Sequence, residues 1–157
     1  MGMAATLQRY LIRQGVDYDV VAHPQTGCSL ETAQAAHIPG GRLAKGVILE
    51  DEAGGYLMAV VPASRYLRLG AVRALLHRNV GLATEPELAA LFGDCAPGAV
   101  PPLGPAYGLE TVVDEGLAEQ PELYFEAGDH EELVHVPTER FFELLGSAHC
   151  GAIAGRP

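Results

Sequence analysis

The spacing of apolar residues along the chain changes between a helical and a strand period. Apolar side chains three and four positions apart predict a first helix over residues 6–14, with Leu7, Tyr10 and Leu11 inward and Gly15 at its end. The same period, with polar residues that suit helix starts, predicts further helices at 30–36 after a Ser29 cap, at 69–77 with Val72, Leu75 and Leu76 inward, at 84–92, and after a Thr138 cap.

Alternating polar and apolar residues predict a half-buried strand over residues 16–21. Two apolar runs, 43–50 and 56–61, flank the sequence Asp51-Glu52-Ala53-Gly54-Gly55, which predicts a β-hairpin with a glycine turn. Shorter strands are predicted at 109–114, 123–127 and 133–136. A chain of 157 residues without a break in composition predicts one domain over residues 1–157.

Residues 94–105 contain four prolines and two glycines, which excludes regular structure. The segment is nevertheless too apolar for an ordinary surface loop. Its fixed backbone aims the N–H groups of Gly98, Ala99 and Val100 in set directions, as a site for an oxyanion or a carbonyl requires. The alternative interpretation is a structural crossover packed on the sheet.

Lys45 is the only lysine, and the nine other residues counted as Lys or Arg are arginines. It lies at the start of the apolar run 43–50. Lysine offers a compact, mobile charge whose pKa responds to burial, whereas arginine offers a rigid planar fork. A single retained ammonium therefore suggests a functional side chain, although GC-rich coding that replaced the other lysines would leave the same pattern.

The formal net charge of −10 argues against a general nucleic-acid binder. The charge is unevenly distributed, because residues 53–84 contain no Asp or Glu and four arginines, Arg65, Arg68, Arg73 and Arg78. This segment predicts either a basic face for phosphate groups or a set of solvated arginines around a helix.

Cysteines and histidines give no framework of their own. Cys28, Cys95 and Cys150 are widely spaced, which predicts neither disulfides nor a cysteine zinc site, and the histidines form no metal motif. No membrane-length apolar stretch and no signal pattern occur, so a cytoplasmic location is expected. The turn at 128–132 places Asp129 beside His130, which suits either a presented imidazole or a purely conformational hairpin turn.

Three segments together resemble the YbaK family of aminoacyl-tRNA deacylases, which are related to the editing domain of bacterial prolyl-tRNA synthetases. They are Leu43-Ala44-Lys45-Gly46-Val47-Ile48-Leu49, the loop Asp94 to Pro102 with its G-x-x-x-P pattern from Gly98, and Phe125-Glu126-Ala127-Gly128-Asp129-His130-Glu131. The resemblance spans nearly the whole chain. The segment Val61 to Leu67 departs from the glycine-rich turn expected there.

The resemblance implies an α/β fold with a central mixed, partly barrel-like sheet flanked by helices. It implies trans-editing: hydrolysis of the ester of a mischarged tRNA carrying Ala, Cys or a similar small amino acid, most naturally on tRNA-Pro, without metal or cofactor. The implied catalytic residues are Lys45, Gly98, Ala99 and His130. The expected substrate-binding residues are Val100, Pro101, Pro102, Ser64 and Asp129, and the expected tRNA contacts are Arg65, Arg68, Arg73 and Arg78.

The expected partners are mischarged tRNA and, as a candidate, prolyl-tRNA synthetase, with no membrane and a monomer or weak dimer. With no G-x-S-x-G elbow and no Cys-His setting, covalent catalysis is unsupported. Two other functions stay open. One is a non-catalytic module that binds tRNA or aminoacyl-adenosine, and the other is a Schiff-base enzyme with Lys45 as nucleophile.

Overall fold

The computed structural model describes residues 2–24, 26 and 28–156, with residues 29 and 30 described by their backbone alone. The α-helices in this part of the chain are α1 (Ala5–Gln14), α2 (Ser29–Ala35), α3 (Leu69–Leu76), α4 (Glu85–Leu91) and α5 (Thr138–Leu145). Gly15 ends α1 in the left-handed conformation, as its position predicted. Thr84 and Glu87 form a reciprocal capping box at the start of α4, which confirms that helix start.

The strands of the described residues are β1 (Asp19–Ala22), β2 (Leu43–Asp51), β3 (Tyr56–Pro62), β4 (Tyr66–Leu67), β5 (Val80–Leu82), β6 (Glu110–Asp114), β7 (Glu122–Glu126), β8 (Glu132–Pro137), β9 (His149–Gly151) and β10 (Ala154–Gly155). The main sheet has the order β1-β8-β7-β2-β3-β6-β9, and β5 also pairs with β2. β4 and β10 form a separate pair. The β7–β2, β3–β6 and β6–β9 pairs are parallel and the others antiparallel, so the predicted mixed sheet is confirmed.

Helices cover both faces of the sheet. Ala44 and Ile48 of β2 point into the larger core with residues of α1 and α5, whereas Leu43 packs with Ala33 of α2 on the opposite face. Leu49 lies on that opposite face farther along, in the core that includes Val72 of α3. Because both faces are covered, β3 is a continuous apolar run instead of an alternating one.

Several local predictions differ from the structure. β1 begins at Asp19, not at residue 16, and β4, β5, β9 and β10 were not predicted. Leu75 is 36% exposed at the rim, next to Gly151, although it was expected to face inward. Thr138 does not cap α5, because its hydroxyl donates to the Gln120 carbonyl.

The predicted Ser29 cap lies outside the described side chains. Within the described residues, no helix combines the length and apolar character needed to cross a membrane.

Candidate functional site

Lys45 is the third residue of β2 and lies opposite Val61 of β3. Its side chain shares the sheet face of Leu43, the face that α2 covers, and it is half-buried. Burial lowers the pKa of the Lys45 ammonium below its ordinary value, and the charge of nearby Cys28, which precedes α2, acts in the opposite direction. The Lys45 ammonium therefore lies on the sheet face that α2 covers, near the residue that precedes this helix.

Among the described residues, no acidic side chain pairs with the ammonium of Lys45. Every ion pair between described residues uses an arginine or a histidine as its cation. Arg42, at the same end of β2, differs because it pairs with Glu122 at 3.4 Å. A half-buried cation without a counter-charge favours an anion brought by a ligand, since a desolvated charge is costly until it is paired.

The proline-rich loop begins with a tight turn over residues 96–99. Ala99 N–H donates to the Ala96 carbonyl at 3.1 Å, and Gly98 has a φ of 79°. Proline followed by a left-handed glycine is the sequence of a type II turn, so glycine is required for its backbone at this position. The turn itself therefore uses the N–H of Ala99, one of the residues that the resemblance implied to be catalytic.

His130 contacts this turn through its ring. Its Nε2 donates to the carbonyl of Pro97, and Ala96 N–H donates to the Gly128 carbonyl at 2.7 Å. The Pro97–Gly98 peptide is trans, so Gly98 N–H points away from the oxygen that faces His130. Gly98 and His130, predicted to act together, therefore face opposite sides of one peptide unit in this conformation.

The turn between β7 and β8 holds His130 in an uncommon backbone conformation. Gly128 has a φ of 111° and His130 a φ of 60°. Asp129 organises the turn, since its Oδ1 accepts the N–H groups of Glu131 and Glu132, each at 3.0 Å. Asp129 thus has the conformational role that hairpin chemistry suggests. His130 is directed inward and is only 4% exposed.

A buried acid lies between two imidazoles next to this turn. Glu126, the last residue of β7, has Oε2 4.0 Å from His130 Nδ1 and Oε1 4.0 Å from His23 Nε2. Neither Glu126 oxygen has a hydrogen-bond partner. Burial raises the pKa of the Glu126 carboxyl, while the Thr32 hydroxyl and both imidazoles lower it. The Thr32 hydroxyl is hydrogen-bonded to the Cys28 carbonyl and to the Thr26 hydroxyl, and it makes no hydrogen bond to Glu126.

Sequence reasoning missed Glu126 and His23 as site residues. Leu123, Phe125 and Ala127 alternate toward the larger core, which places Glu126 on the opposite face. An acidic residue on a strand face that a helix will cover is a sequence signal, but its two histidine partners come from distant parts of the chain. His23 follows β1 and gave no signal beyond the proline after it.

The three segments that carried the family resemblance converge near the start of β2. Ala44, next to Lys45, pairs with Phe125 of β7. Gly46 lies under the loop, where an added Cβ would be 3.3 Å from the Pro102 Cα. Pro101 and Pro102 are buried, so they hold the loop on the sheet and do not offer surface to a substrate as expected.

A cavity of about 230 Å³ borders the loop on its other side. Gly98 and Val100 line it together with Leu88 and Phe92 of the α4 region, and Lys45 is not among its lining residues. Lys45 and the loop, which the resemblance implied to belong to one site, therefore do not share this cavity. Cys95 also lines it, but burial raises the pKa of its thiol to about 12, which makes a poor nucleophile.

The remaining predicted residues lie around the end of β3. Ser64 lies against Gly40 at the turn that precedes β2. Arg65 and Arg68 are exposed, whereas Arg73 donates twice to the Val80 carbonyl and Arg78 pairs with Asp51 and Glu110. Of the four arginines, Arg65 and Arg68 are thus the two without an ion pair or a side-chain hydrogen bond to another described residue. The described residues contain no group of three His, Cys, Asp or Glu side chains arranged for a metal ion.

Comparison with known proteins places this geometry in a family. The model of the aminoacyl-tRNA editing domain matches residues 23–144, which include Lys45, the proline-rich loop and the His130 turn. The chain belongs to the aminoacyl-tRNA editing domain family. The resemblance to YbaK proteins is thereby confirmed. Among curated proteins, no sequence matches the chain.

Solved structures agree with the family. One similar structure is a proposed trans-editing enzyme for prolyl-tRNA synthetase, at 28% identity and a TM-score of 0.81, covering 97% of this chain and 96% of that one. Another is the hypothetical protein APE2540, at 22% identity and a TM-score of 0.84, covering 96% and 99%. The mixed sheet flanked by helices is therefore the editing-domain fold.

Proposed function

We propose that this editing domain hydrolyses the ester that links a wrong amino acid to the terminal ribose of a tRNA. The observation that carries the proposal is Lys45: a half-buried ammonium without an acidic partner among the described residues, between Ala44 and Gly46, where the strand of the His130 turn and the loop meet the backbone of β2. The aminoacylated end of a tRNA has two groups whose negative charge could pair with this ammonium. Its phosphates are anionic, and the carbonyl oxygen of the ester becomes anionic when a nucleophile attacks the carbonyl carbon.

The chain supplies further groups suited to this reaction. Gly98 N–H and Val100 N–H have no carbonyl partner among the described residues and are donors for a carbonyl or phosphate oxygen. Water attacks the ester carbon, the oxyanion forms and collapses, and the ribose oxygen leaves with the proton that the water has lost. If a hydroxyl of the substrate attacks first, it forms a new ester, which a water molecule must then hydrolyse. Such an ester needs a held carbonyl and a positioned nucleophile, and no covalent enzyme intermediate.

The proposed substrates are tRNAs bearing a small amino acid, with Ala-, Cys- and Ser-tRNA first. The similar structure described as a trans-editing enzyme for prolyl-tRNA synthetase supports tRNA-Pro as the carrier and the synthetase as a partner. The decisive experiment incubates the protein with this panel, each amino acid on tRNA-Pro and on its own tRNA, and measures loss of the aminoacyl group. No deacylation of any member would contradict the proposal.

Replacing Lys45 is the sharpest test of the mechanism. Lys45→Ala should reduce the deacylation rate on the order of a hundredfold or more, because removal of one donor to a developing oxyanion costs about that much. Lys45→Arg should not restore the rate, since guanidinium is larger and planar. Folding should survive in both variants, as judged by thermal unfolding.

Arg42→Ala is the matched control for Lys45→Ala. It removes a cation from the same end of β2, but one already paired with Glu122, so deacylation should stay within about twofold of the wild type.

Cys28→Ala, Cys95→Ala and Cys150→Ala should also keep substantial activity. Borohydride should trap no substrate on Lys45. A near-wild-type rate for Lys45→Ala, or one inactive but folded cysteine variant, would refute the mechanism.

One observation favours the non-catalytic alternative. Ala99 N–H is used by its own turn, and Gly98 N–H faces away from His130, so the loop does not direct both groups at one atom. A module that only binds the aminoacyl end would retain such a loop. It would bind the panel of tRNAs with the same affinity in wild type and His130→Ala, and it would leave the ester intact.

A further inference from the structure

The described part of the chain leaves a few buried side-chain atoms without hydrogen bonds, and they form one cluster. They are His23 Nε2, both oxygens of Glu126, His130 Nδ1 and Asp129 Oδ2. The side chains of His23, Glu126 and His130 are 0%, 3% and 5% exposed. Folded proteins satisfy most buried polar atoms, so such a concentration at one place needs a reason.

The outer nitrogens of the two imidazoles are already committed. His130 Nε2 contacts the Pro97 carbonyl, and His23 Nδ1 contacts the Pro24 carbonyl at 2.8 Å. A carbonyl oxygen only accepts hydrogen bonds, so both outer nitrogens must carry a proton. In a neutral ring, the inner nitrogen is then bare. These inner nitrogens, His23 Nε2 and His130 Nδ1, are the two that face Glu126.

The number of protons in the cluster follows from these contacts. An ionised Glu126 between two bare nitrogens would oppose lone pairs on both sides, which a buried site disfavours. One inner proton on an imidazole gives an ion pair with Glu126 at 4.0 Å, and two give a carboxylate between two imidazolium rings. The cluster therefore holds at least one inner proton, and Glu126 is the group that both rings share.

We propose that Glu126 is a positioning residue, whose buried carboxyl, 4.0 Å from His130 Nδ1, competes with the two imidazoles for one proton of the cluster and, through the resulting attraction of charges, orients the ring whose other nitrogen holds the Pro97 carbonyl. His23 competes for the same proton from the other side. Through this chain of contacts the acid determines the orientation of the turn that carries Gly98. The groups facing Glu126 are His130 and Asp129 from the β7–β8 turn, His23 after β1 and Thr32 from α2.

The inference rests on the proposed function only for its consequence in catalysis. The proton sharing itself is a property of the free protein. If the site hydrolyses esters, Glu126→Gln should lower kcat by at least about tenfold with a smaller change in KM, because a misoriented imidazole resembles loss of the orienting acid in a catalytic triad. The pH dependence of kcat should change as well.

The experiment measures the imidazole nitrogen chemical shifts of His23 and His130 by NMR as the pH is varied. In the wild type, both outer nitrogens should be protonated, and the chemical shifts of the two inner nitrogens should change over the same pH range. In Glu126→Gln they should change independently. Glu122→Gln is the matched control, because Glu122 lies on the same strand face but contacts His135 and Arg42 at the surface. It should leave both shifts unaltered.

Unfolding at different pH values gives a second measurement on the same variants. Burial raises the pKa of Glu126, so the stability from its bound proton is present below the ordinary carboxyl value of 4.5 and is lost as pH rises through the raised value. Glu126→Gln should lack this loss. Identical nitrogen shifts in wild type and Glu126→Gln would overturn the inference.

Two isosteric variants extend the test if Glu126→Gln does not fold. His23→Asn keeps a donor for the Pro24 carbonyl, and His130→Gln keeps one for the Pro97 carbonyl, yet each removes the inner nitrogen. The remaining histidine should then change in a single step. If the wild type deacylates no tRNA while the inner nitrogens behave as expected, the proposed function fails and the shared proton stands. If the protein deacylates tRNA but its nitrogen shifts are the same in wild type and Glu126→Gln, the inference about the shared proton fails and the proposed function stands.

Discussion

Two β-hairpin turns in the described part of the chain are organised by an aspartate in the same way but lie in different surroundings. In the turn between β2 and β3, Asp51 Oδ1 accepts the N–H groups of Ala53 and Gly55. In the turn between β7 and β8, Asp129 Oδ1 accepts those of Glu131 and Glu132. The second oxygen distinguishes them. Asp51 Oδ2 pairs with Arg78 at 3.3 Å, whereas Asp129 Oδ2 is buried without a partner.

The difference separates a turn that only closes a hairpin from one that is built into a site. Residues 52–55 are exposed, and Asp51 uses one oxygen within the hairpin and the other in a surface ion pair with Arg78. Residues 127–130 are buried beside Glu126 and the proline-rich loop. Stability alone does not favour buried, unpaired polar atoms, and departures of this kind are typical of functional sites. The comparison therefore favours the turn between β7 and β8 as the one with a role beyond closing its hairpin.

Gly128→Ala should produce the largest change in stability, and Gly54→Ala is its matched control. Both glycines have a positive φ, at 111° and 84°. An added Cβ at Gly128 would be 2.8 Å from the Ala4 Cβ, while one at Gly54 would meet nothing within 4 Å. Backbone strain plus overpacking predicts a loss of about 2–5 kcal/mol at Gly128, against about 1–2 kcal/mol at Gly54. Urea unfolding measures the loss of stability in both variants, and equal losses would contradict the proposed difference between the two turns.

Asp129→Asn and Asp51→Asn should change stability in opposite directions. Asparagine keeps the oxygen that organises each turn. At residue 51 the change removes the ion pair with the partly exposed Arg78, for an expected loss of about 0.2–1 kcal/mol. At residue 129 it removes a buried carboxylate without a partner, for an expected gain on the order of 1 kcal/mol. A loss at residue 129 as large as that at residue 51 would show that Asp129 is stabilised by its surroundings.

The smallest expected effect concerns the arginines near the first turn. Arg78 is bound to Asp51 and Glu110, so Arg78→Ala should leave the salt dependence of tRNA binding unchanged. Arg65 and Arg68 are free, and the double change to Ala should reduce that salt slope by about one unit for each lost phosphate contact. Binding titrations at several salt concentrations measure both. An equal slope in all proteins would mean that Arg65 and Arg68 are only solvated.

Much of the fold follows from local sequence. The hairpin of β2 and β3 has two apolar runs around Asp51 and Gly54, and the capping box of Thr84 and Glu87 determines where α4 begins. The short strands β5, β9 and β10 were missed because pairs of two or three residues carry too little pattern. Thr138 was misassigned as a cap, since a carbonyl from another segment accepts its hydroxyl proton.

The site divides in the same way. The sequence by itself identified Lys45, because it is the only lysine, and the Gly98 turn, because proline and glycine restrict the backbone wherever they occur. Only the tertiary structure decided that Arg78 is paired and that Glu126 lies between His23 and His130. Composition and backbone preference belong to single residues, whereas burial and charge pairing depend on segments that meet only after folding.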